Sequence, residues 1–390
     1  AARRSMLTGA FITANQLRDL SMGRHSTIDL CKICPMTLAE ASKSFKCVPT
    51  KVEGFDHRLP QIERERGQLK TWIAANRLNV LEYLRSDVAA TASLYVHIRK
   101  AVRELVAIDI LLPRSPKTAG GLALAMLKRT CPDLGRAPAS EAIDVQLREW
   151  ITGGRTQRFT DAPCQLEGEY VLFDVASLYP TVAACEPWTR ELMKDYQTFG
   201  AYPYGAGAAA PEAVTAYTRG DVGFYRVQVH TQPTPRIIPK KTPGKAHAWD
   251  VNGGFTAQVT SIDLECMDLH GGTYTVVDGW RWPKTKVGYF APFFQSLGAV
   301  KNREDGYAKA GDPRYNAALR QMSKLFMNAA TGKLAQRNYL DVTELCRTAG
   351  DEVAAEKKLD KNALAQSLDL GSVYVVVWGS KPPGKSYRQV

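Results

Sequence analysis

The residues of this chain best suited to chemistry lie in Phe173-Asp174-Val175-Ala176-Ser177-Leu178-Tyr179-Pro180. The apolar run Tyr170 to Val175 predicts a buried strand with Asp174 near its end. A carboxylate there, followed by a tight turn, is suited to holding a metal ion at a sheet edge. The turn offers successive N–H groups to a triphosphate, and Tyr179 offers a flat wall against a sugar. A strand-terminal Asp also caps helices, and the residues of this one string leave both readings open. A second string, Lys324-Leu325-Phe326-Met327-Asn328-Ala329-Ala330-Thr331-Gly332-Lys333, places Lys324 and Asn328 four residues apart, on one face of a helix.

The elements that must position these groups are legible in the spacing. Leu81, Leu84, Val88, Ala92, Tyr95, Ile98, Val102 and Leu105 predict a buried helical stripe within residues 69–110. Pro113, Pro116, Gly120 and Gly121 break it before a short helix near 122–128, so a boundary is expected between 112 and 155. After Gly153-Gly154 the pattern turns to strands, with Gly223 to His230 alternating as a half-buried strand should. Residues 200–220 read as a loop, and Pro233 to Lys245, with Arg236, Lys240, Lys241 and Lys245, as an exposed basic loop suited to phosphate, beside His247 and Trp249. A helix over 260–270, a strand over 273–277, a long amphipathic helix over 315–330 and a last strand over 373–378 complete the reading. Trp280, Trp282 and Tyr289 read as core or turn aromatics.

Composition narrows the class. The 390 residues carry 51 Lys+Arg against 39 Asp+Glu, a surplus of +12 that makes a polyanion, most simply nucleic acid, the expected partner. An apolar fraction of 45% is enough to bury real cores, which excludes a disordered tail. No apolar run reaches the ~18 residues of a bilayer-spanning helix. Eight cysteines without dense spacing exclude a secreted disulfide scaffold and imply a reducing compartment. The opening Ala1-Ala2-Arg3-Arg4-Ser5 reads as a processed or truncated end.

The string around Asp174 resembles motif A of family B DNA polymerases, Asp-x-x-Ser-Leu-Tyr-Pro, and the string from Lys324 resembles their motif B, Lys-x-x-x-Asn-Ser-x-Tyr-Gly, in the same order. Thr152-Gly153-Gly154-Arg155 resembles the Tyr-x-Gly-Gly segment that joins the exonuclease and polymerase domains and touches single-stranded template; Ile151 stands where the aromatic is expected. Tyr83 and Asp87 resemble the third exonuclease motif, Tyr-x-x-x-Asp, and residues 26–60 look like the stretch that precedes it in protein-primed enzymes. The best subgroup is the protein-primed polymerases of phages, adenoviruses and linear mitochondrial plasmids. The resemblance implies an α+β fold: part of an RNase H-like exonuclease domain in 1–112, a linker with the Gly-Gly-Arg segment in 113–155, and a partial palm with a helical fingers-like insertion in 156–390. It implies that Asp174 binds metal, that Val175, Ala176, Ser177, Leu178, Tyr179, Lys324 and Asn328 bind nucleotide, and that Gly153, Gly154, Arg155 and Lys333 bind template.

Departures qualify that expectation. No Asp-x-Asp follows Gly332, although motif C of the family supplies the second carboxylate of a two-metal centre. No Asp-x-Glu occurs in residues 1–82 to join Asp87, and Ala329 and Thr331 replace the Ser and Tyr of motif B. The chain is therefore expected to be inactive alone: a fragment or subunit whose Mg²⁺ site is completed by a partner chain, or a relic kept for binding in a nucleoprotein assembly such as an organellar ribosome. A mitochondrial or viral setting follows from the resemblance, with DNA or RNA and at least one protein as partners and no membrane.

Two rival signals are weaker. Gly379-Ser380-Lys381-Pro382-Pro383-Gly384-Lys385-Ser386 matches a P-loop string, yet Pro382 and Pro383 have no N–H to give a phosphate, so it reads as a basic turn. Cys31, Cys34 and Cys47 have only His57 nearby as a fourth zinc ligand, and Cys31 and Cys34 also fit an apolar face.

Overall fold

A computed structural model describes residues 7–13, 16–22, 25–26, 28–48, 58–112, 115–132, 150–151, 154–155, 168–169, 171–175, 177–203, 211–242, 247–334, 340–346, 365–369 and 374–380, the first three and last three strands as backbone. Along the chain run β1 (Leu7–Thr13), β2 (Gln16–Met22), β3 (His25–Ser26), α1 (Leu38–Ser44), α2 (Arg58–Glu65), α3 (Leu69–Ala75), α4 (Arg77–Val106) and α5 (Ala119–Thr130). Then come α6 (Leu178–Ala184), α7 (Pro187–Leu192), β4 (Ala201–Pro203), β5 (Glu212–Val214), β6 (Gly223–Thr231), β7 (Phe255–Thr260), α8 (Ser261–Leu269), β8 (Thr273–Arg281) and β9 (Thr285–Val287). The last elements are α9 (Ala291–Lys309), α10 (Ala317–Leu334), β10 (Leu340–Cys346), β11 (Ala365–Asp369) and β12 (Tyr374–Ser380). The fold is α+β, as expected. The described residues fall into two compact units, one within 1–126, 296–334 and 339–381, the other within 127–295.

In the first unit, α4 buries Leu94, Ile98, Ala101, Val102 and Leu105. The expected stripe does not continue upstream, because Leu81, Leu84 and Val88 are exposed, Val88 to 70%. Helical spacing sets which residues share a face, but burial of that face needs a neighbouring element. The helix ends at Ala107, whose backbone is left-handed at φ 51°. There Asp109 accepts from Arg99 Nε and Nη2 at 2.9 and 2.7 Å, from Arg103 Nη2 at 2.8 Å and from the Leu111 N–H at 3.0 Å. The Arg99 hydrogen bonds, with the Leu111 N–H, hold the Asp109 carboxyl well below the usual carboxylate range.

Helix α10 buries Ala318, Leu319, Met322, Phe326, Met327 and Ala330, a three-four spacing that turns Lys324 and Asn328 outward. Its start is fixed by carboxylates of α9. Glu304, itself buried, accepts the Asn316 N–H at 2.9 Å, and Asn316 Oδ1 accepts the Leu319 N–H at 3.0 Å as an N-cap. Asp305 accepts from Lys301 at 2.8 Å and from Arg320.

The second unit centres on an antiparallel sheet in the order β5-β8-β6-β7. On β6, Tyr225, Val227 and Val229 point to one buried face, opposite Val259, Ala257 and Phe255 of β7. Leu264 and Met267 of α8 and Ile238 join the same core. Helix α8 starts where expected because Asp263 accepts both the Thr260 N–H and its hydroxyl at 2.7 Å, the acidic half of a capping box.

Candidate nucleic-acid interface

The segment carrying Asp174 differs from its expected form. Residues 171–175 belong to no helix or strand, and Leu172 and Phe173 are 95% and 89% exposed. Apolar residues give this run its strand propensity; a ladder and burial require a second strand, which local sequence does not supply. Asp174 is accordingly exposed. The helix cap is Ser177, not Asp174, and Ser177 is left-handed at φ 55° with no side-chain cap bond. A non-glycine residue held there is a local strain typical of functional turns. In α6 the first intrahelical bond runs from Thr181 N–H to Ser177 O at 3.0 Å. The helix itself provides no acceptor for the Leu178 and Tyr179 N–H groups, and Pro180 has none to place. Tyr179 is exposed while Pro180 is buried. Ala176 and Gly153 lie outside the described residues.

Tertiary structure brings the Gly-Gly-Arg segment to this turn. A Cβ added to Gly154 would lie 3.3 Å from Tyr179 Oη, so the hydroxyl stands over the side of this glycine where a side chain would be. The next residue, Arg155, places its guanidinium carbon 4.4 Å from the centroid of the Trp249 ring. Just upstream, the buried Trp150 donates its indole N–H to the Tyr225 carbonyl at 3.0 Å, anchoring the segment on β6. Sequence spacing alone does not mark Trp150 as a site residue. The signal for it is a Trp three residues before Gly-Gly-Arg, a large ring with one donor that needs a partner when buried.

The expected exposed basic loop is more closely held than its composition implies. Ile238 is buried in the sheet core. Gln232 ties the neck, its amide oxygen accepting the Ile237 and Ile238 N–H groups at 3.1 and 2.7 Å and its amide nitrogen donating to the Ile238 and Val251 carbonyls at 2.9 and 2.8 Å. Arg236 donates to the Gln232 and Pro233 carbonyls at 2.7 and 3.0 Å, so this cation is engaged by its own loop. Beyond it, Lys240 and Ala248 exchange backbone bonds of 2.8 and 3.1 Å and form a narrow hairpin base. Lys245 lies outside the described residues. Tyr289 is buried, Trp280 and Trp282 half-buried, and Trp282 stacks edge-on against Phe224 at 5.3 Å.

Lys324, Asn328 and Lys333 belong to the other unit, on α10. Lys324 and Asn328 are both exposed on one face, and Thr331, in the place of the motif B tyrosine, turns its hydroxyl back to the Asn328 carbonyl at 2.8 Å. The stem of Lys333 packs against Gly120, where a Cβ would come within 2.7 Å of Lys333 Cε. On α4 of the same unit, burial and a hydrogen bond to Asp87 push the Tyr83 hydroxyl up to about 12. Asp87 faces an open groove of about 540 Å³ lined by Ile28, Leu84, Val88, Tyr95 and Ile110. Cys31 is exposed and Cys34 buried, Cys47 Sγ lies 3.6 Å from His97 Nδ1, and His57 is outside the described residues. The P-loop-like string beyond Ser380 also lies outside them. Among the described residues no group of three or more His, Cys, Asp or Glu side chains is placed to hold a metal ion.

Residues 75–386 match the family model described as DNA polymerase type B, organellar and viral. The DNA polymerase of Bacillus phage Nf is 27% identical over 203 residues, covering 50% of this chain and 31% of the phage protein. That of Bacillus phage B103 is 26% identical over the same length. Among solved structures, Phi29 DNA polymerase complexed with primer-template DNA and incoming nucleotide matches with a TM-score of 0.56 at 18% identity, over 85% of this chain and 53% of that one. Phi29 polymerase complexed with single-stranded DNA matches with a TM-score of 0.52 at 16% identity, over 94% and 56%. The chain thus spans about a third of the phage relatives by sequence and about half of the Phi29 fold.

Proposed function

Because this chain belongs to the organellar and viral type B DNA polymerases, we propose that it forms the template- and nucleotide-gripping part of a protein-primed-type polymerase whose nucleotidyl-transfer centre is completed by a partner chain. The observation that carries this reading is the contact of Tyr179 with Gly154, which joins the motif A turn to the Gly-Gly-Arg segment in one unit. The match to Phi29 polymerase complexed with primer-template DNA and incoming nucleotide supports DNA and a nucleotide as the ligands.

In this reading the backbone of Val175 and of Ser177 and Leu178 receives the triphosphate, and Tyr179 stands against the sugar. Gly154 and Arg155 follow the template backbone, Lys324 neutralises phosphate, and Lys333 adds a template contact. Mg²⁺ would supply charge neutralisation in the transfer step. The described residues do not fit a two-metal centre: Asp174 is an exposed carboxylate without a cluster of further ligands around it. No step is therefore routed through metal in this chain alone. The exposed run Val171 to Val175 is where a partner's strand, bearing a carboxylate, would add.

A second reading, nucleic-acid binding without turnover in a larger assembly, is favoured by Thr331, whose hydroxyl serves its own helix and offers no ring beneath a base pair. Primer extension with Mg²⁺ separates the two. The isolated chain is expected to bind primer-template DNA in fluorescence anisotropy and to incorporate nothing; incorporation returns only with a co-purifying chain identified by mass. Incorporation by the chain alone would overturn the incomplete centre, absence of DNA binding would overturn the polymerase reading, and absence of both DNA and RNA binding would overturn the second as well.

A further inference from the structure

We propose that Cys31 and Cys34 form a thiol modification site, a reversible dithiol–disulfide pair that exchanges with low-molecular-weight disulfides through the exposed Cys31 sulfur. Leu30, beside the pair, lines the groove that Asp87 faces, so a bridge there pins one wall of that groove opposite Leu84 and Val88 of α4.

Cys31-Lys32-Ile33-Cys34 lies in one tight turn. Lys32 and Ile33 donate their N–H groups to the Asp29 and Leu30 carbonyls at 3.1 and 3.0 Å, and Cys34 donates to the Leu30 carbonyl at 2.8 Å. Asp29 caps the start, its carboxylate accepting the Cys31 N–H at 3.0 Å. Leu30–Lys32 is a 3₁₀ turn and the Ile33 backbone is still right-handed. Residues three apart in such a turn have Cα atoms about 5–6 Å apart. That separation falls inside the range of about 4.4–6.8 Å that a disulfide spans. The Cys31 sulfur lies 3.8 Å from the Met36 carbonyl oxygen, folded back toward the stretch that Cys34 begins.

The two thiols differ in access. Cys31 is exposed, whereas Cys34 is only 2% exposed, so exchange enters at Cys31. Burial, and then the neighbouring Cys31, push the Cys34 thiol up to about 12, which makes it a poor leaving group once bridged and favours retention of the bridge. Two cysteines alone do not close a zinc site, and no group of three or more ligands occurs among the described residues. In the exchange the Cys31 thiol loses its proton and attacks one sulfur of the small disulfide, releasing one thiol. The Cys34 thiol then loses its proton and attacks the Cys31 sulfur of the mixed disulfide, releasing the second. Two protein thiols are oxidised, one small disulfide is reduced to two thiols, and the released sulfurs carry off both protons.

The test is peptide mapping by mass after the reduced full chain is incubated with oxidised glutathione and quenched in acid. Trypsin cuts after Lys32, so a Cys31–Cys34 bridge is read as two peptides joined in one mass. The wild-type chain is expected to give that joined pair without retained glutathione, and dithiothreitol to return both thiols. Cys34→Ala is expected to stop at glutathione held on Cys31, and Cys31→Ser to leave Cys34 unmodified. Because Cys31 is exposed, Cys31→Ser and the wild-type map decide the proposal even if the buried Cys34→Ala change impairs folding. Glutathione retained on Cys31 of the wild-type chain, a bridge from either residue to another cysteine, no reaction at the pair, failure of dithiothreitol to open it, or modification of Cys34 in Cys31→Ser would each overturn the site. Hydrogen exchange of the Lys32, Ile33 and Cys34 amides is expected to slow in the bridged chain, and unchanged exchange would overturn the pinning of the groove wall.

Discussion

Tyr179 and Gly154, far apart in sequence, meet so closely that a single methyl group on Gly154 would lie 3.3 Å from the Tyr179 hydroxyl oxygen. Through this contact the turn after Asp174 and the segment before Arg155 become one surface. Gly154 is not needed here for a left-handed backbone; its lack of a side chain lets the phenol approach.

Gly154→Ala should therefore displace Tyr179 without unfolding the chain. Primer-template affinity is expected to fall ~3–10-fold, with a stability change within about 0.5 kcal/mol, the usual range for exposed sites. Removing the crowded atom should rescue it: Gly154→Ala/Tyr179→Phe is expected to bind better than Gly154→Ala alone, as coupled neighbours do. Anisotropy and thermal melts of the three variants check this.

The exposure of Phe173 makes a prediction opposite to that of a buried strand. Phe173→Ala is expected to change stability by less than about 0.5 kcal/mol, whereas a buried phenylalanine would cost about 3–5 kcal/mol. Urea titration of the isolated chain decides between them. If a partner strand adds at Val171 to Val175, the same substitution should weaken capture of that partner.

Glu304 is the buried carboxylate on which the start of α10 depends, because it accepts the Asn316 N–H at 2.9 Å and pairs with Arg303 at 2.9 Å. Glu304→Ala is expected to cost about 2–3 kcal/mol, the scale of a lost hydrogen bond to a charged group with its partner left behind. Hydrogen exchange should show the loss first at the Asn316 amide and in the first turn of α10, while β6 and β7 stay protected.

Asp109 should make the end of α4 acid-sensitive. Its carboxyl is depressed in the folded chain, chiefly by the Arg99 hydrogen bonds, so the unfolded chain binds more protons in the acid range. The stabilisation is fully present above the ordinary carboxylate value of about 4 and is lost as pH falls through the lower folded value. Asp109→Asn should melt earlier than wild type at neutral pH, and the gap between them should close below pH ~4. A gap that persists at low pH would show that packing, not charge, holds this corner.

What was legible in the sequence had its cause within a few residues. The alternation of Gly223 to His230 became β6 with Tyr225, Val227 and Val229 inward, because a strand's period of two decides which residues share a face. Thr260 and His270 bounded α8 because Thr260 and Asp263 cap its start locally. Lys324 and Asn328 emerged on one face of α10 because a helix returns every three to four residues. The family resemblance rested on strings of this kind and was matched over residues 75–386. Tertiary structure alone decided the rest. Val171 to Val175 and the Leu81 to Val88 part of α4 have apolar patterns suited to burial and remain exposed, since burial depends on what another element brings to that face. The stacking of Arg155 on Trp249, the clamp of Gln232 on Ile238 and Val251, and the approach of Tyr179 to Gly154 join residues that share no local periodicity. Contacts of that kind cost loop-closure entropy and are specified only by the whole packed unit. The sequence by itself determined which groups share a strand or helix face; the fold decided which of them stand together.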